Sequence, residues 1–239
     1  MTEPKLDPNS DPRADGALRA EGAKAVRPRD AATLIIVRRD GAKPRLLMGR
    51  HNRGHDFMPD KWVFPGGRID RSDFRAPAAS ELRPAVIQRL EKTAPPSRAR
   101  ALALTAVRET FEETGLLLAR PAPARTVAGP WRDFLGQGAS PDLDALDFVA
   151  RAITPPYRPK RFDARFFMAE ADRLASLDRA PDCGELDELA WVELSETLAL
   201  DLPNITRFVV QELALRLEHP DRPAPFVSFR RGARRLEHL

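Results

Sequence analysis

The stretch from Ser97 to Gly115 constrains the chain most, because it specifies a helix and loads one end of it with charge. Small and apolar residues recur at helical spacing, Ser97 suits an N-cap, and Gly115 stands where a left-handed C-cap glycine belongs. Glu109, Glu112 and Glu113 fall at i, i+3 and i+4, so three carboxylates share one face over little more than a turn. Like charges this close repel one another, and at a helix C-terminus the macrodipole also disfavours them. A pattern that is locally unfavourable twice over marks a site more readily than a scaffold. Hard divalent cations such as Mg²⁺ or Mn²⁺ take oxygen donors of this kind, completed by waters and substrate phosphates. The plainer reading is a solvated acidic face with Arg108 as the i,i+4 partner of Glu112. An isolated Glu-x-x-Glu-Glu would favour it; the longer run Arg108-Glu109-Thr110-Phe111-Glu112-Glu113-Thr114-Gly115 does not.

Residues 1–30 hold almost no large apolar side chain and read as a disordered tail, unable to offset their ordering entropy by burial. The β-branched run Thr33-Leu34-Ile35-Ile36-Val37 reads as a buried strand, and 45–50 resumes as a second after the turn signal Asp40-Gly41. A short strand at 61–64 stops at Pro65-Gly66-Gly67. Leu82, Val86, Ile87 and Leu90 predict a helix within 78–92. Strands are expected at 162–169 and 189–192, a short helix from Ser195, and an amphipathic helix over 204–217. Residues 221–239 end in the arginine-rich run Arg230-Arg231 and Arg234-Arg235 and read as a solvated C-terminal tail. The order implies an α+β domain over 31–220, a mixed sheet packed between helices as an α/β/α sandwich.

A net charge of +4 in 239 residues, with both signs interspersed, gives no case for nucleic acid. The one cysteine, Cys183, excludes an internal disulfide and a thiolate metal cluster. No apolar run reaches the length of a membrane span and no secretory signal is read, so the expected compartment is the cytoplasm.

Two separated segments then carry a resemblance. Phe64-Pro65-Gly66-Gly67 and Arg108-Glu109-x-x-Glu112-Glu113-x-Gly115-Leu116 resemble, in order, the opening and the second half of a Nudix box. The chain is thereby similar to the Nudix hydrolases over roughly 32–218. An ordinary box places the glycine 14 positions before the arginine; here Gly67 and Arg108 are 41 apart, so 27 residues are inserted, roughly 71–97. The glutamate expected eight positions before the arginine is Arg100, and Asp70, Asp73, Glu81 and Glu91 are the candidates to replace it. An interrupted box followed by Leu116-Leu117-Leu118 looks like the branch of peroxisomal coenzyme A diphosphatases, and Lys160–Phe167 is similar to a stretch of that branch. The coenzyme A signature itself is matched only at Leu46-Leu47 and Arg50.

The resemblance implies a metal-dependent hydrolase that cleaves the phosphoanhydride of a small nucleoside diphosphate derivative, coenzyme A or acyl-coenzyme A among them. ADP-ribose, NADH or an oxidised nucleotide is the second enzymatic reading, and an inactive Nudix-like ligand-binding regulator is a third. On the family pattern Glu109, Glu112 and Glu113 ligate Mg²⁺ or Mn²⁺ together with the Gly66 carbonyl, and Arg108, Gly67 and Gly115 support them. Arg50 and Arg165 are candidates to meet phosphates, and Glu185 and Glu188 to complete the site from a later loop. Trp62 and Phe166 read as core rather than a stacking shelf, and His51 and His55 as solvated loop residues. Neither nucleic acid nor a membrane is an expected partner; a homodimer is compatible with the sequence.

Overall fold

The computed structural model describes residue 4 and residues 15–24, 26–52, 58–177, 186–230 and 233–239. Its elements run β1 (Arg29–Arg38), β2 (Arg45–His51), β3 (Trp62–Val63), β4 (Gly66–Arg68), α1 (Pro84–Glu91), α2 (Pro96–Thr114) and β5 (Ala119–Pro121). There follow α3 (Arg132–Gly136), β6 (Ala139–Pro141), β7 (Asp147–Ile153), β8 (Phe162–Glu170), β9 (Leu186–Glu193) and α4 (Leu194–Thr197). α5 (Asn204–Glu218), β10 (Pro225–Arg230) and β11 (Ala233–His238) close the chain.

Among the described residues one mixed sheet dominates, in the order β11-β10-β7-β8-β1-β2-β3, with β4 paired to β1 and β9 to β2. β1 lies parallel to β8 and antiparallel to β2, and its apolar run is buried on both faces. Side chains alternate across a strand, so Leu34 and Ile36 join one core with α2 while Ile35 and Val37 join another with α5. This is the expected α/β/α arrangement, and it explains why the strand reads as a continuous apolar run rather than an alternation. Ala99, Ala103 and Ala106 keep the buried face of α2 shallow, which lets its axis lie close against β1 and carries its last turn onto β4.

Several boundaries depart from expectation. α2 starts at Pro96 with Pro95 as N-cap, not at a Ser97 cap, because proline at the first helical position has its φ preset and loses no bonded N–H. The helix anticipated within 78–92 begins only at Pro84, since a proline inside it would remove a helical hydrogen bond. The expected C-terminal tail is instead the hairpin β10–β11, with β10 adding to β7 in parallel and burying Val227. Part of the expected N-terminal tail is also tied down: Asp15 accepts from the backbone N–H of Asn204 at 3.1 Å, Arg19 N–H donates to Tyr157 O at 2.8 Å, and β1 already begins at Arg29. In both places chain ends gain backbone partners that composition alone does not reveal.

Candidate active site

α2 terminates as Gly115 turns to φ +74° and donates its N–H to Phe111 O, which frees the chain to leave the helix. β4 pairs with β1 through Thr33↔Gly66 and Ala32↔Gly67, directly beneath this last turn. Gly66 is required for reasons of space, and at Gly67 glycine leaves room for a neighbouring carboxylate. A β-carbon on Gly66 would run into the backbone of Ala32 and Thr33, and one on Gly67 would collide with the carboxylate of Glu109. The Gly66 N–H donates to Glu113 Oε2 at 3.2 Å. Strand end and helix end are thus joined through the two segments that the sequence singles out.

Arg108 organises the helix end. Its Nε and Nη2 donate to the two oxygens of Asp73, each at 2.9 Å, and Nη2 also reaches Arg68 O at 3.0 Å. Nη1 donates to Glu109 Oε1 at 2.8 Å and Glu112 Oε2 at 2.9 Å. Asp73 is fully buried and accepts further hydrogen bonds from Thr105 Oγ1 at 2.8 Å and Trp131 Nε1 at 2.9 Å. Burial works against the charge of Arg108, but Asp73, Glu109 and Glu112 outweigh it and hold the guanidinium firmly protonated. Burial pushes the Glu109 carboxyl up to about 7; Arg108 opposes that rise and the charge of Glu112 adds to it.

Of the candidates to replace the missing box glutamate, Asp73 is the one that forms an ion pair with Arg108. Arg100 is bound to Glu81 and to Ala76 O, near the start of α2 and remote from the carboxylates in sequence. A glutamate eight positions before the arginine and a glycine fourteen before it lie six positions apart, and Asp73 stands six positions after Gly67. Counting forward from the glycine rather than back from Arg108 identifies it and moves the insertion to the segment after Asp73. Thr105 and Trp131 had no comparable signal.

A cleft of about 1550 Å³ opens over this junction, lined by Gly66, Gly67, Glu109, Glu112 and Glu113 among others. Arg165 does not join it. Its side chain is buried and its charge is taken up by Asp163 and Asp30 at 2.9 and 3.1 Å, so the expectation of a phosphate contact is replaced by a structural ion pair. Arg50 and Glu188 pair with each other at 3.0 Å, Arg50 also lying over Trp62, and neither is among the residues lining the cleft. His51 and Phe166 do line it, while Trp62 packs against the α5-side core. Glu185, His55 and Cys183 lie outside the described residues.

A mixed sheet between helices, with a glycine pair on a strand facing Arg-Glu-x-x-Glu-Glu at a helix end, defines the Nudix type of fold and site. No family model matches the chain. A Nudix hydrolase of Alicyclobacillus acidocaldarius superposes with a TM-score of 0.57 over 78% of this chain and 90% of that one, at 28% identity. A Caenorhabditis elegans protein bearing the name nudix hydrolase 7 is 26% identical over 70% of this chain and 52% of its own length. Human acyl-coenzyme A diphosphatase NUDT19 is 29% identical over 64% of this chain and 54% of its own. The chain is thus similar to Nudix hydrolases in sequence and in fold. It spans about half the length of the curated relatives it matches.

Proposed function

We propose that the chain hydrolyses the phosphoanhydride bond of a nucleoside diphosphate derivative, with Glu109, Glu112, Glu113 and the Gly66 carbonyl holding Mg²⁺ or Mn²⁺. The observation that carries this reading is the buried Asp73–Arg108 pair, which clamps the end of α2 so that the carboxylates gather at Gly66–Gly67 in the cleft. The donor set fits a hard divalent cation: it is all oxygen, crowded with like charge, and contains a carboxyl whose ionisation burial resists. Among the described residues no three acidic, histidine or cysteine side chains already converge on one point; Glu109 and Glu112 lean on Arg108 and Glu113 on Gly66. Such a cation, when bound, supplies charge neutralisation at the phosphate and a more acidic water.

The protein's own contribution is positional. All three nitrogens of Arg108 donate to Asp73, Arg68 O, Glu109 and Glu112, so it orients carboxylates rather than gripping substrate. Glu109, poised near 7, exchanges its proton within the working range of an enzyme at neutral pH. The name carried by the human relative makes coenzyme A and its acyl derivatives the first substrates to try. Coenzyme A, acyl-coenzyme A, ADP-ribose, NADH and nucleoside triphosphates should be incubated with folded protein and Mg²⁺ or Mn²⁺, and products resolved by chromatography. Cleavage of at least one at a diphosphate linkage is the expected outcome; inactivity across the panel overturns the proposal.

A further inference from the structure

The segment that precedes β1 lies along one end of the cleft, which Asp15 and Val26 help to line. Asp15 accepts from the Asn204 backbone N–H and from Asn204 Nδ2, each at 3.1 Å, and faces Arg158 Nη2 at 3.8 Å. Arg158 Nη1 donates to Gly16 O and Ala17 O, the Arg19 N–H donates to Tyr157 O at 2.8 Å, and Arg161 donates to Val26 O at 2.7 Å. These partners belong to the β7–β8 connection or to the first residue of α5, and they line the same cleft. Apolar burial adds little to the attachment. Leu18 and Val26 are 40% and 41% exposed, and no described residue from 15 to 28 joins either hydrophobic core. A segment fastened by polar contacts, with its outer side in water, opens locally at a small fraction of the free energy of global unfolding.

Asp15 is the latch of this segment. Its carboxylate is largely shielded from water, held on a buried guanidinium and on the first N–H of the 15-residue helix α5. A helix N-terminus beside a cation is where an anion is stabilised, and here the chain supplies its own. Any other anionic group that enters this end of the cleft must expel the Asp15 carboxylate or meet its charge. We propose that residues 15–24 form an autoinhibitory strap, in which Asp15 docks as an internal anion and bars other anions from the α5 end of the cleft until it is displaced. The device goes beyond the hydrolase reading and does not depend on turnover.

Inorganic phosphate is the probe, titrated calorimetrically into the full chain without added divalent cation, so that it does not settle on a metal at the glutamates. Asp15→Ala should bind it about tenfold more tightly than the wild type, the worth of one charge-assisted contact no longer met from within. Hydrogen exchange of the Arg19 amide should quicken by about tenfold in the same variant, while the Leu34 and Ile36 amides in β1 exchange as in the wild type and report an intact core. Saturating phosphate should quicken Arg19 exchange in the wild type as well, an arm that needs no substitution. Arg158→Gln added to Asp15→Ala should remove the gain in affinity, which locates the phosphate. Equal affinities in wild type and Asp15→Ala, binding by neither, an Arg19 amide undisturbed by saturating phosphate, or a gain that survives Arg158→Gln each overturn the strap. None of these readouts requires cleavage of any substrate, so this proposal and the hydrolase reading fail separately.

Discussion

Asp73→Asn tests the architecture of the site most directly. The substitution keeps shape and removes the charge that faces Arg108, leaving a buried guanidinium opposite an amide whose NH₂ confronts donors. Asp73 accepts from five groups on four residues (Arg108 Nε and Nη2, Thr105 Oγ1, Trp131 Nε1 and the Asp70 N–H), and it is fully shielded from water. Breaking one side of a buried pair costs about 3–5 kcal/mol because the surviving charge is uncompensated. For a domain of this size each kcal/mol lowers the Tm by about 2–4 °C, so a fall of roughly 6–20 °C is expected by calorimetry. Arg108 would also be drawn further toward Glu109 and Glu112, so turnover should fall at temperatures where the variant is still folded. Asp73→Glu, which keeps the charge in a slightly larger side chain, should recover part of both losses at an overpacking cost of about 1–3 kcal/mol. A Tm for Asp73→Asn within about 2 °C of wild type would refute the view that this pair clamps the helix end.

Three further outcomes are expected. Glu112→Gln, at a partly exposed position, should leave the Tm nearly unchanged and lower kcat by more than the ~100-fold typical of altering a residue behind the metal ligands; turnover close to wild type would displace the proposed metal site. The folded, metal-free protein retains a proton on Glu109 between the ordinary carboxylate range and about 7, where the unfolded chain has released it. Its stability should therefore fall as pH rises through that window, while Mg²⁺ affinity rises; a Mg²⁺-induced Tm shift that is no larger at pH 8 than at pH 6 would contradict this. Gly67→Ala should displace the Glu109 carboxylate and remove most activity at less cost in stability than Gly66→Ala, which meets backbone, as the substrate assay and urea unfolding will measure.

The resemblance to Nudix hydrolases and the segment proposed to hold metal were legible in sequence because their signals are local. Helical spacing alone stacks Glu109, Glu112 and Glu113, and Gly115 ends the helix by its own backbone preference. The strands β1, β2, β8 and β9 announced themselves by β-branched and apolar runs. The chain ends did not: β10 and β11 are short, polar on exposed faces, and strands only because β7 offers β10 a partner and β10 offers one to β11. Arg165 and Arg50 show the same limit, since an arginine in a strand reads alike whether it meets a substrate or a carboxylate.

The helix end from Arg108 to Gly115 is what the sequence determined by itself, down to the face its carboxylates share. The tertiary structure alone decided what holds that end in place. Asp73 is 35 positions from Arg108, across an inserted helix, and only packing brings them to 2.9 Å while excluding the water that would otherwise weaken them. Spacing along a helix is set by its pitch, whereas a buried ion pair between distant segments exists only once the core that desolvates it has formed.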